Sequence, residues 1–269
     1  MTRALDKLSK AIQENDSLLC VGLDTDLQKI PGFLRKQRDP IFVFNRKIIE
    51  ATSDLVCAYK LNLAFYEALG ISGLETLKKT MSIIPKKVLT ILDAKRGDIG
   101  NTAQKYASAI FDYFQAEATT VNPYLGFDSL QPFIEYKDRL SFILCLTSNP
   151  SATDFQFWKY KGKPLYLEVA SKVKSWNKYH NLGLVVGATH PLQLAQVRQA
   201  ASGLPFLIPG VGPQGGDLKS AVKYGQGKRG LAIINSSREI IYATKEKDFA
   251  VRARLKAIEL YQNLNLARR

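Results

Sequence analysis

The chain contains few residues of the kinds that build metal centres and disulfides. It has 3 cysteines and 2 histidines in 269 residues. Cys20, Cys57 and Cys145 each lie inside an apolar run and form no C-x-x-C pair, which predicts buried, reduced thiols and argues against a zinc site. The two histidines, His180 and His190, are too few for a His-rich metal centre.

The sequence also lacks a long apolar stretch. No window approaches the ~18 consecutive apolar residues that a membrane-spanning helix requires. The opening segment MTRALDKLSKAIQENDS is polar and charged, unlike the apolar core of a signal peptide. We therefore expect a cytoplasmic protein that does not interact with a membrane.

Acidic residues are fewer than basic ones, 24 against 38, which gives a formal net charge of +14. Such an excess is typical of proteins that bind nucleic acids or anionic ligands. The basic residues are spread along the chain, for example as RKQR at 35–38 and KYKGK at 159–163, and no known nucleic-acid-binding motif accompanies them. This distribution favours solvated helix faces over a nucleic-acid interface.

Eight short apolar runs recur along the chain, and turn residues bound each of them. They are rich in Val, Ile, Leu or Thr without sustained polar alternation, as is typical of parallel strands that are covered on both faces. Segments long enough for helices connect the runs, and no linker or shift in composition divides the chain. This rhythm, in a chain close to the ~250 residues typical of the fold, predicts an α/β protein with one (β/α)8 TIM barrel domain over residues 1–269. The runs are 18–23, 55–59, 88–92, 118–122, 142–146, 182–188, 205–211 and 231–235.

Charged residues lie at the ends of the first three predicted strands. Asp24 follows the first strand and Lys60 ends the second, while Asp93, Lys95 and Asp98 follow the third. Catalytic side chains of such barrels lie at the carboxyl ends of the strands, and side chains two positions apart on a strand share a face. We therefore expect Lys60, Asp93 and Lys95 to converge as a binding or catalytic network. The structural alternative is a lattice of salt bridges that closes the barrel.

Two features have alternative interpretations. Asp98 lies beyond the third strand, where it could act in the site or cap the next helix, as could Asn101 or Thr102. The segment DFQFWKYKGKP at 154–164 is the longest excursion after a strand, and it is either a mobile lid over the barrel mouth or a surface loop.

The sequences of the loops after the seventh and eighth strands favour the binding of an anion. The sequence GVGPQGGD at 210–217 offers glycines whose backbone N–H groups can approach a phosphate, and SSREI follows at 236–240. Phosphate sites of these barrels commonly use these two loops together with a helix N-terminus. Arg238 can bind a phosphate in bidentate fashion, so the two loops predict a phosphate site. Glycines that serve only the turns are the alternative.

The segment LDAKRGDIGNT, with AYKLN before it and PGVGPQGGD and SSREI after it, resembles the orotidine 5'-phosphate decarboxylase family in its longer subgroup. The match runs in order over about residues 20–242, and its core is D-x-K-x-x-D-I with a threonine four residues past the last aspartate. The resemblance implies a (β/α)8 barrel that dimerises across the barrel mouths. It also implies conversion of orotidine monophosphate to UMP and CO2 without a metal or organic cofactor.

The same resemblance assigns roles to individual residues. Lys95 resembles the acid that protonates C6 of the pyrimidine, and Asp93 resembles the carboxylate beside the substrate's own carboxylate. Lys60 and Asp98 resemble the other members of an alternating Lys–Asp array, and Asp98 and Thr102 are expected to reach into the partner subunit's site. Asp24 and Lys60 resemble ribose contacts, Ser148 resembles a pyrimidine contact, and Gln214 and Arg238 resemble phosphate ligands. The remaining substrate-binding residues are Pro209, Gly212 and Ser237, of which Ser237 departs from the glycine that many members have before the arginine.

Two other functions are weighed against this one. Related barrels that share D-x-K-x-x-D are metal-dependent sugar-phosphate decarboxylases or aldolases, but they carry an acidic metal ligand where this chain has Lys60. A basic nucleic-acid-binding protein is the non-enzyme alternative, because WKYKGK at 158–163 combines aromatic and basic residues.

Overall fold

Eight parallel strands form a closed barrel in the computed structural model, which describes residues 2–211, 217–227 and 230–269. The barrel strands are β1 Leu19–Gly22, β2 Ala58–Asn62, β3 Leu89–Arg96, β4 Ala118–Val121, β5 Leu140–Leu146, β8 Leu182–Val186, β9 Phe206–Pro209 and β10 Ala232–Ser236. A separate antiparallel pair, β6 Lys159–Tyr160 and β7 Lys163–Pro164, lies between β5 and β8. The barrel order β1-β10-β9-β8-β5-β4-β3-β2 confirms the predicted (β/α)8 fold.

Helices connect successive barrel strands. One helix precedes the barrel, and the last and longest follows β10. The helices are α1 Arg3–Glu14, α2 Pro40–Thr52, α3 Leu63–Glu67, α4 Gly70–Ser82, α5 Gly100–Ser108, α6 Phe127–Ile134, α7 Leu165–Trp176, α8 Pro191–Ala200, α9 Leu218–Gln226, α10 Arg238–Ile241 and α11 Phe249–Arg268. Two 3-10 segments, Gly32–Lys36 and Pro150–Asp154, and a π-helical turn, Ala109–Tyr113, complete the connections.

Local sequence signals explain where several helices begin. The Thr2 hydroxyl accepts the Leu5 N–H at 3.3 Å at the start of α1. The Asp39 carboxylate accepts the Phe42 N–H at 3.4 Å at the start of α2, and Pro40 supplies the fixed φ that suits the first turn. Each contact satisfies a backbone donor that the helix itself leaves unpaired.

The strands are buried because apolar side chains cover both faces of the sheet. Almost every residue of β1, β4, β8 and β10 is buried. The three cysteines are free and buried, as predicted, and burial raises the pKa of the Cys57 thiol to about 12. Each predicted apolar run overlaps a barrel strand, although β2 begins three residues later than its run, at Ala58, and β3 continues to Arg96.

The excursion after β5 forms a hairpin that is anchored to the barrel. The Gln156 side chain accepts the Thr147 N–H at 2.8 Å and donates to the Thr147 hydroxyl at 2.7 Å. Phe155, Trp158 and Tyr160 are exposed along this segment. Across the described residues, none of the helices combines the length and the hydrophobicity that crossing a membrane requires.

Candidate active site

A cleft of about 380 Å³ opens at the carboxyl ends of the barrel strands. Loops and strand ends from β1, β2, β3, β4, β8, β9 and β10 line it, which is the face where barrels of this type carry their catalytic groups. Seven of the residues predicted for the site line this one cleft: Asp24, Lys60, Asp93, Lys95, Pro209, Ser237 and Arg238.

Four of these side chains form a chain of alternating charge. The Lys60 ammonium lies between two carboxylates, 3.1 Å from Asp24 Oδ1 and 3.0 Å from Asp93 Oδ2. The Lys95 ammonium lies 2.6 Å from Asp93 Oδ1. The order Asp24, Lys60, Asp93, Lys95 therefore spans the cleft floor with each charge beside an opposite one. Lys60, Asp93 and Lys95 converge as expected, whereas Asp24 takes the place in the array that the resemblance gave to Asp98.

Burial and charge act in opposite directions on the two inner members of this array. Burial alone raises the pKa of Asp93, but Lys60 and Lys95, together with hydrogen bonds from Lys95 and Thr120, hold it well below the ordinary value of 3.8. Burial likewise lowers the pKa of Lys60, but the Asp24 and Asp93 carboxylates raise it above the ordinary value of 10.5. Both groups are therefore charged at neutral pH.

Lys95 is the exposed end of the array. Its side chain is 47% exposed, whereas that of Asp93 is 6% exposed, so the ammonium faces the open cleft. Regular strand alternation predicted that Asp93 and Lys95 share a face, but their contact has a different structural cause. The pairing of β3 with β4 shifts register between Leu92 and Arg96, and Lys95 has a left-handed φ of 47°. A bulge therefore directs the side chain toward Asp93.

The opposite wall of the cleft comes from β9 and β10. Pro209 ends β9 beside Asn235 of β10, and Ser237 and Arg238 follow that strand. The Ser237 hydroxyl donates to the Gly22 carbonyl oxygen at 3.0 Å and so links this wall to β1. Of the predicted phosphate loop, Gly212 and Gln214 lie outside the described residues.

Asp98 and Thr102 do not line the cleft of their own chain. The Asp98 carboxylate accepts the N–H of Ile99 at 2.8 Å. Helix α5 begins one residue later with no side-chain cap, so the prediction that Asp98, Asn101 or Thr102 caps it is wrong. That Asp98 interacts with the dipole of this helix, which was the other form of this alternative, stays a prediction. Thr102 is exposed on the first turn of α5, and Ile99 beside it is exposed as well.

Ser148 also lies outside the cleft lining, in the loop after β5. Its hydroxyl is buried and has no hydrogen-bond partner in the described part of the chain. A Cβ atom on Gly187 would lie 2.3 Å from this oxygen, so only glycine leaves room for Ser148 there. An unpaired buried hydroxyl is costly in isolation, which makes Ser148 a candidate for pairing with a ligand.

Several residues of the cleft were not indicated by the sequence patterns. Thr120 of β4 donates to Asp93 Oδ1 at 2.8 Å and accepts the Lys95 N–H at 2.9 Å. Lys29 and Asn235 also line the cleft. The available signal was a polar residue near the carboxyl end of a buried strand, as for Thr120 on β4 and Asn235 on β10.

Comparison with known proteins agrees with this geometry. Residues 17–253 match the model of the orotidine 5'-phosphate decarboxylase / HUMPS family. The chain is 52% identical over 266 residues to an orotidine 5'-phosphate decarboxylase of Dehalococcoides mccartyi, covering 97% of each protein. It is 48% identical over 263 residues to an enzyme of the same name from Cupriavidus necator, again covering 97% of each.

A solved structure extends the likeness to three dimensions. The OMP decarboxylase of Leishmania donovani is 37% identical and superimposes with a TM-score of 0.86, over 100% of this chain and 99% of that one. This chain is therefore similar to these relatives in sequence, and to the solved structure also in fold, over nearly their whole length. The chain therefore belongs to the orotidine 5'-phosphate decarboxylase family.

Proposed function

We propose that this protein decarboxylates orotidine monophosphate to UMP and CO2 by means of the charged array in the barrel cleft. Relatives that share about half of its residues over nearly its full length bear the name of this activity. The observation that carries the proposal is the placement of Asp24, Lys60, Asp93 and Lys95 as alternating charges at one cleft, with Lys95 at its open end.

The chemistry requires stabilisation of a carbanion. When the bond from C6 to the carboxylate carbon breaks, its electron pair stays at C6, where the pyrimidine ring delocalises it poorly. An ammonium group fixed beside C6 stabilises the developing charge and then donates a proton to it. Lys95 fits this role because its ammonium reaches the open cleft while Asp93 orients it from below.

Asp93 has a second effect in this mechanism. It is buried and ionised, and its carboxylate would face the substrate's own carboxylate. Repulsion between the two raises the energy of the bound substrate and is relieved as CO2 leaves. Lys60, held between Asp24 and Asp93, keeps both carboxylates in position and offers an N–H donor toward the ribose.

The phosphate group would bind at the opposite wall. Ser237 and Arg238 line that end of the cleft, and the guanidinium of Arg238 suits a phosphate dianion. Binding energy from this remote group can hold the pyrimidine against the array, so it contributes to the rate as well as to affinity.

The array also supports a mechanism without a metal ion. The matched family model bears a second name, HUMPS, beside that of the decarboxylases, so its match alone does not decide the activity. The Lys60 ammonium occupies the space between the Asp24 and Asp93 carboxylates, and a divalent cation would have to displace it. Lys60 therefore favours cofactor-independent decarboxylation over a metal-dependent reaction.

The site is completed, in this proposal, by a second copy of the chain. Asp98 and Thr102 lie outside their own cleft on a rim that also exposes large apolar side chains. Exposed apolar patches of this kind mark protein–protein contacts. A homodimer that joins the barrel mouths would cover this rim and direct Asp98 and Thr102 into the partner's cleft. The exposed apolar residues that come soon after the carboxyl ends of β2, β3 and β4 are Phe65, Leu69, Ile71, Ile99, Tyr124, Leu125 and Phe127.

Purified protein and orotidine monophosphate test the proposed activity directly. The ultraviolet absorbance of the orotate ring should fall as UMP and CO2 appear, at the same rate with and without excess EDTA. Absence of turnover would refute the decarboxylase function. Turnover that EDTA abolishes and Mg²⁺ restores would support a metal-dependent reaction instead.

A further inference from the structure

The backbone at Lys95 adopts a conformation that needs external support. Its φ of 47° is in the left-handed region, which a residue with a long side chain rarely adopts. The register of the β3–β4 pairing shifts between Leu92 and Arg96, so the Lys95 N–H does not follow the regular ladder of this strand pair. Strained residues of this type persist only where the surrounding structure holds them, and they cluster at functional sites.

A single side chain supplies that support. The hydroxyl oxygen of Thr120 accepts the Lys95 N–H at 2.9 Å, and its proton is donated to Asp93 Oδ1 at 2.8 Å. The Lys95 ammonium donates to the same Asp93 oxygen at 2.6 Å. These three hydrogen bonds form a closed ring that begins at the backbone of Lys95 and returns to its side chain.

Thr120 is well placed to be rigid. It lies on β4, its residue is buried, and its neighbours on the strand are in register with β5. A β-branched side chain on a strand has few accessible rotamers, so the hydroxyl is held in place by its own backbone. Through this ring of hydrogen bonds, the rigid Thr120 on β4 fixes the position of the Lys95 ammonium at the end of β3.

We propose that Thr120 is a positioning residue for Lys95, which fixes both the bulged backbone and the carboxylate that orients the ammonium. The proposal rests on the proposed decarboxylase function, because it assigns Thr120 a role in setting the proton donor. Without the hydroxyl, the Lys95 N–H loses its partner and Asp93 Oδ1 retains only the ammonium. The ammonium would then sample several positions, whereas the remote contacts to ribose and phosphate would stay in place.

Three variants separate positioning from packing. Thr120→Val keeps the shape of the side chain but removes both hydrogen bonds, and Thr120→Ser keeps the hydroxyl. Thr119→Val is the matched control, because Thr119 is the neighbouring buried threonine of β4 and its hydroxyl donates to the Leu92 carbonyl oxygen at 2.8 Å, away from the ring of hydrogen bonds around Lys95. The measurements are the single-turnover rate with orotidine monophosphate, the Kd for UMP and the melting temperature.

Thr120→Val should lower the single-turnover rate by about 10- to 100-fold, since misplacement of a reacting group by about 1 Å costs this much. Its Kd for UMP should stay within about twofold of the wild-type value, because UMP makes only ground-state contacts. Thr120→Ser and Thr119→Val should both keep rates within about threefold of wild type. If Thr120→Val does not fold, Thr120→Ala replaces it with the same expectations.

The proposal is wrong if Thr120→Val keeps the wild-type rate, or if Thr119→Val slows the reaction equally. Parallel losses in rate and in UMP binding would also overturn it, since they indicate a general collapse of the cleft. A wild-type protein that does not turn over orotidine monophosphate would instead refute the proposed function, so the two failures are distinct.

Discussion

Two basic side chains at opposite ends of the cleft are expected to contribute to different steps. Lys95 carries the ammonium that contacts Asp93 at 2.6 Å, where the bond would break. Arg238 lies across the cleft, at the start of α10, where the phosphate would bind. The bond-breaking step and the binding of the phosphate are therefore assigned to different residues, and substitutions of these residues should change different kinetic constants.

Lys95→Ala should lower kcat by about 10³-fold or more, because it removes both the charge that stabilises the carbanion and the proton donor.

Arg238→Ala should lower kcat/KM by about 10- to 100-fold, mainly through a higher KM, since a charged hydrogen bond to the phosphate contributes about 1.5–3 kcal/mol. Steady-state kinetics with orotidine monophosphate checks both expectations.

A surface substitution controls for nonspecific loss. Lys47→Ala removes an exposed ammonium of α2 whose nearest carboxylate, Glu50, lies 3.8 Å away, and it should leave both kinetic constants unchanged. Near-normal turnover of Lys95→Ala would eliminate this lysine as the proton donor. An unchanged kcat/KM for Arg238→Ala would eliminate the phosphate contact.

At the scale of the elements, the regular parts of the barrel were predictable from the sequence. Runs such as LLCVGL and LAIIN become β1 and β10, since a strand covered on both faces requires apolar residues at consecutive positions. The residues that follow each strand then had to meet at one rim, because the strands are parallel. This geometry is why Asp24, Lys60 and Asp93 could be assigned to one cleft.

The irregular parts were not predictable in the same way. The bulge at Lys95 depends on a hydrogen bond to Thr120, which lies 25 residues away in the sequence. No local pattern encodes such a contact, since threonine is common in strands for its shape alone. The hairpin of β6 and β7 has a local signal only at its turn, where Lys161 and Gly162 have left-handed φ values of 49° and 79°. The contact of Gln156 with Thr147, which ties this segment to the barrel, follows no periodic pattern.

Arg198 on α8 shows how one buried side chain joins several elements behind the cleft. Its guanidinium stacks 3.4 Å from the ring centroid of Phe206 on β9 and donates to the carbonyl oxygens of Gly225 on α9 and Leu204. No carboxylate pairs with it in residues 2–211, 217–227 and 230–269, and burial lowers its pKa to about 10. Among the described residues, backbone carbonyls and the face of the Phe206 ring therefore stabilise this cation.

Arg198→Met should lower the free energy of unfolding by about 2–4 kcal/mol, because several buried carbonyl oxygens lose their donor at once. Denaturant unfolding of the purified variant measures this loss. The control is Arg46→Met on α2, whose guanidinium lies 3.7 Å from Glu50 at the surface and should change stability by less than about 0.5 kcal/mol. Equal effects of the two substitutions would contradict the role of Arg198.

At the scale of the whole molecule, the net charge of +14 does not require a nucleic-acid partner. Many of the basic side chains lie on outer helices beside acidic ones, as in the pair of Arg254 with Asp54 at 2.7 Å. An anionic substrate is also attracted by a positive protein, so the charge is consistent with the proposed reaction. That residues 1–269 fold as one domain, and that the protein is cytoplasmic, stay predictions.

The proposed dimer makes a prediction about mixed subunits. Each cleft would combine Lys60 of one subunit with Asp98 of its partner. In a heterodimer of a Lys60→Ala subunit with an Asp98→Ala subunit, one cleft carries both substitutions and the other carries neither. Such a heterodimer should recover about half of the wild-type activity, although each homodimer is inactive, because a twofold dimer has two equivalent sites. Two different affinity tags, used in sequence, isolate the heterodimer for assay.

A second heterodimer is the matched control. When Lys60→Ala is paired with Lys95→Ala, each substitution disables the cleft of its own subunit, so both clefts are defective and no activity should return. Recovery in this control would show that Lys60 and Lys95 do not serve the same chain's site. Inactivity of the Lys60→Ala and Asp98→Ala heterodimer would place Asp98 outside the shared site. Full activity of the Asp98→Ala homodimer would remove Asp98 from the reaction altogether, because an essential charge cannot be lost without a cost in rate.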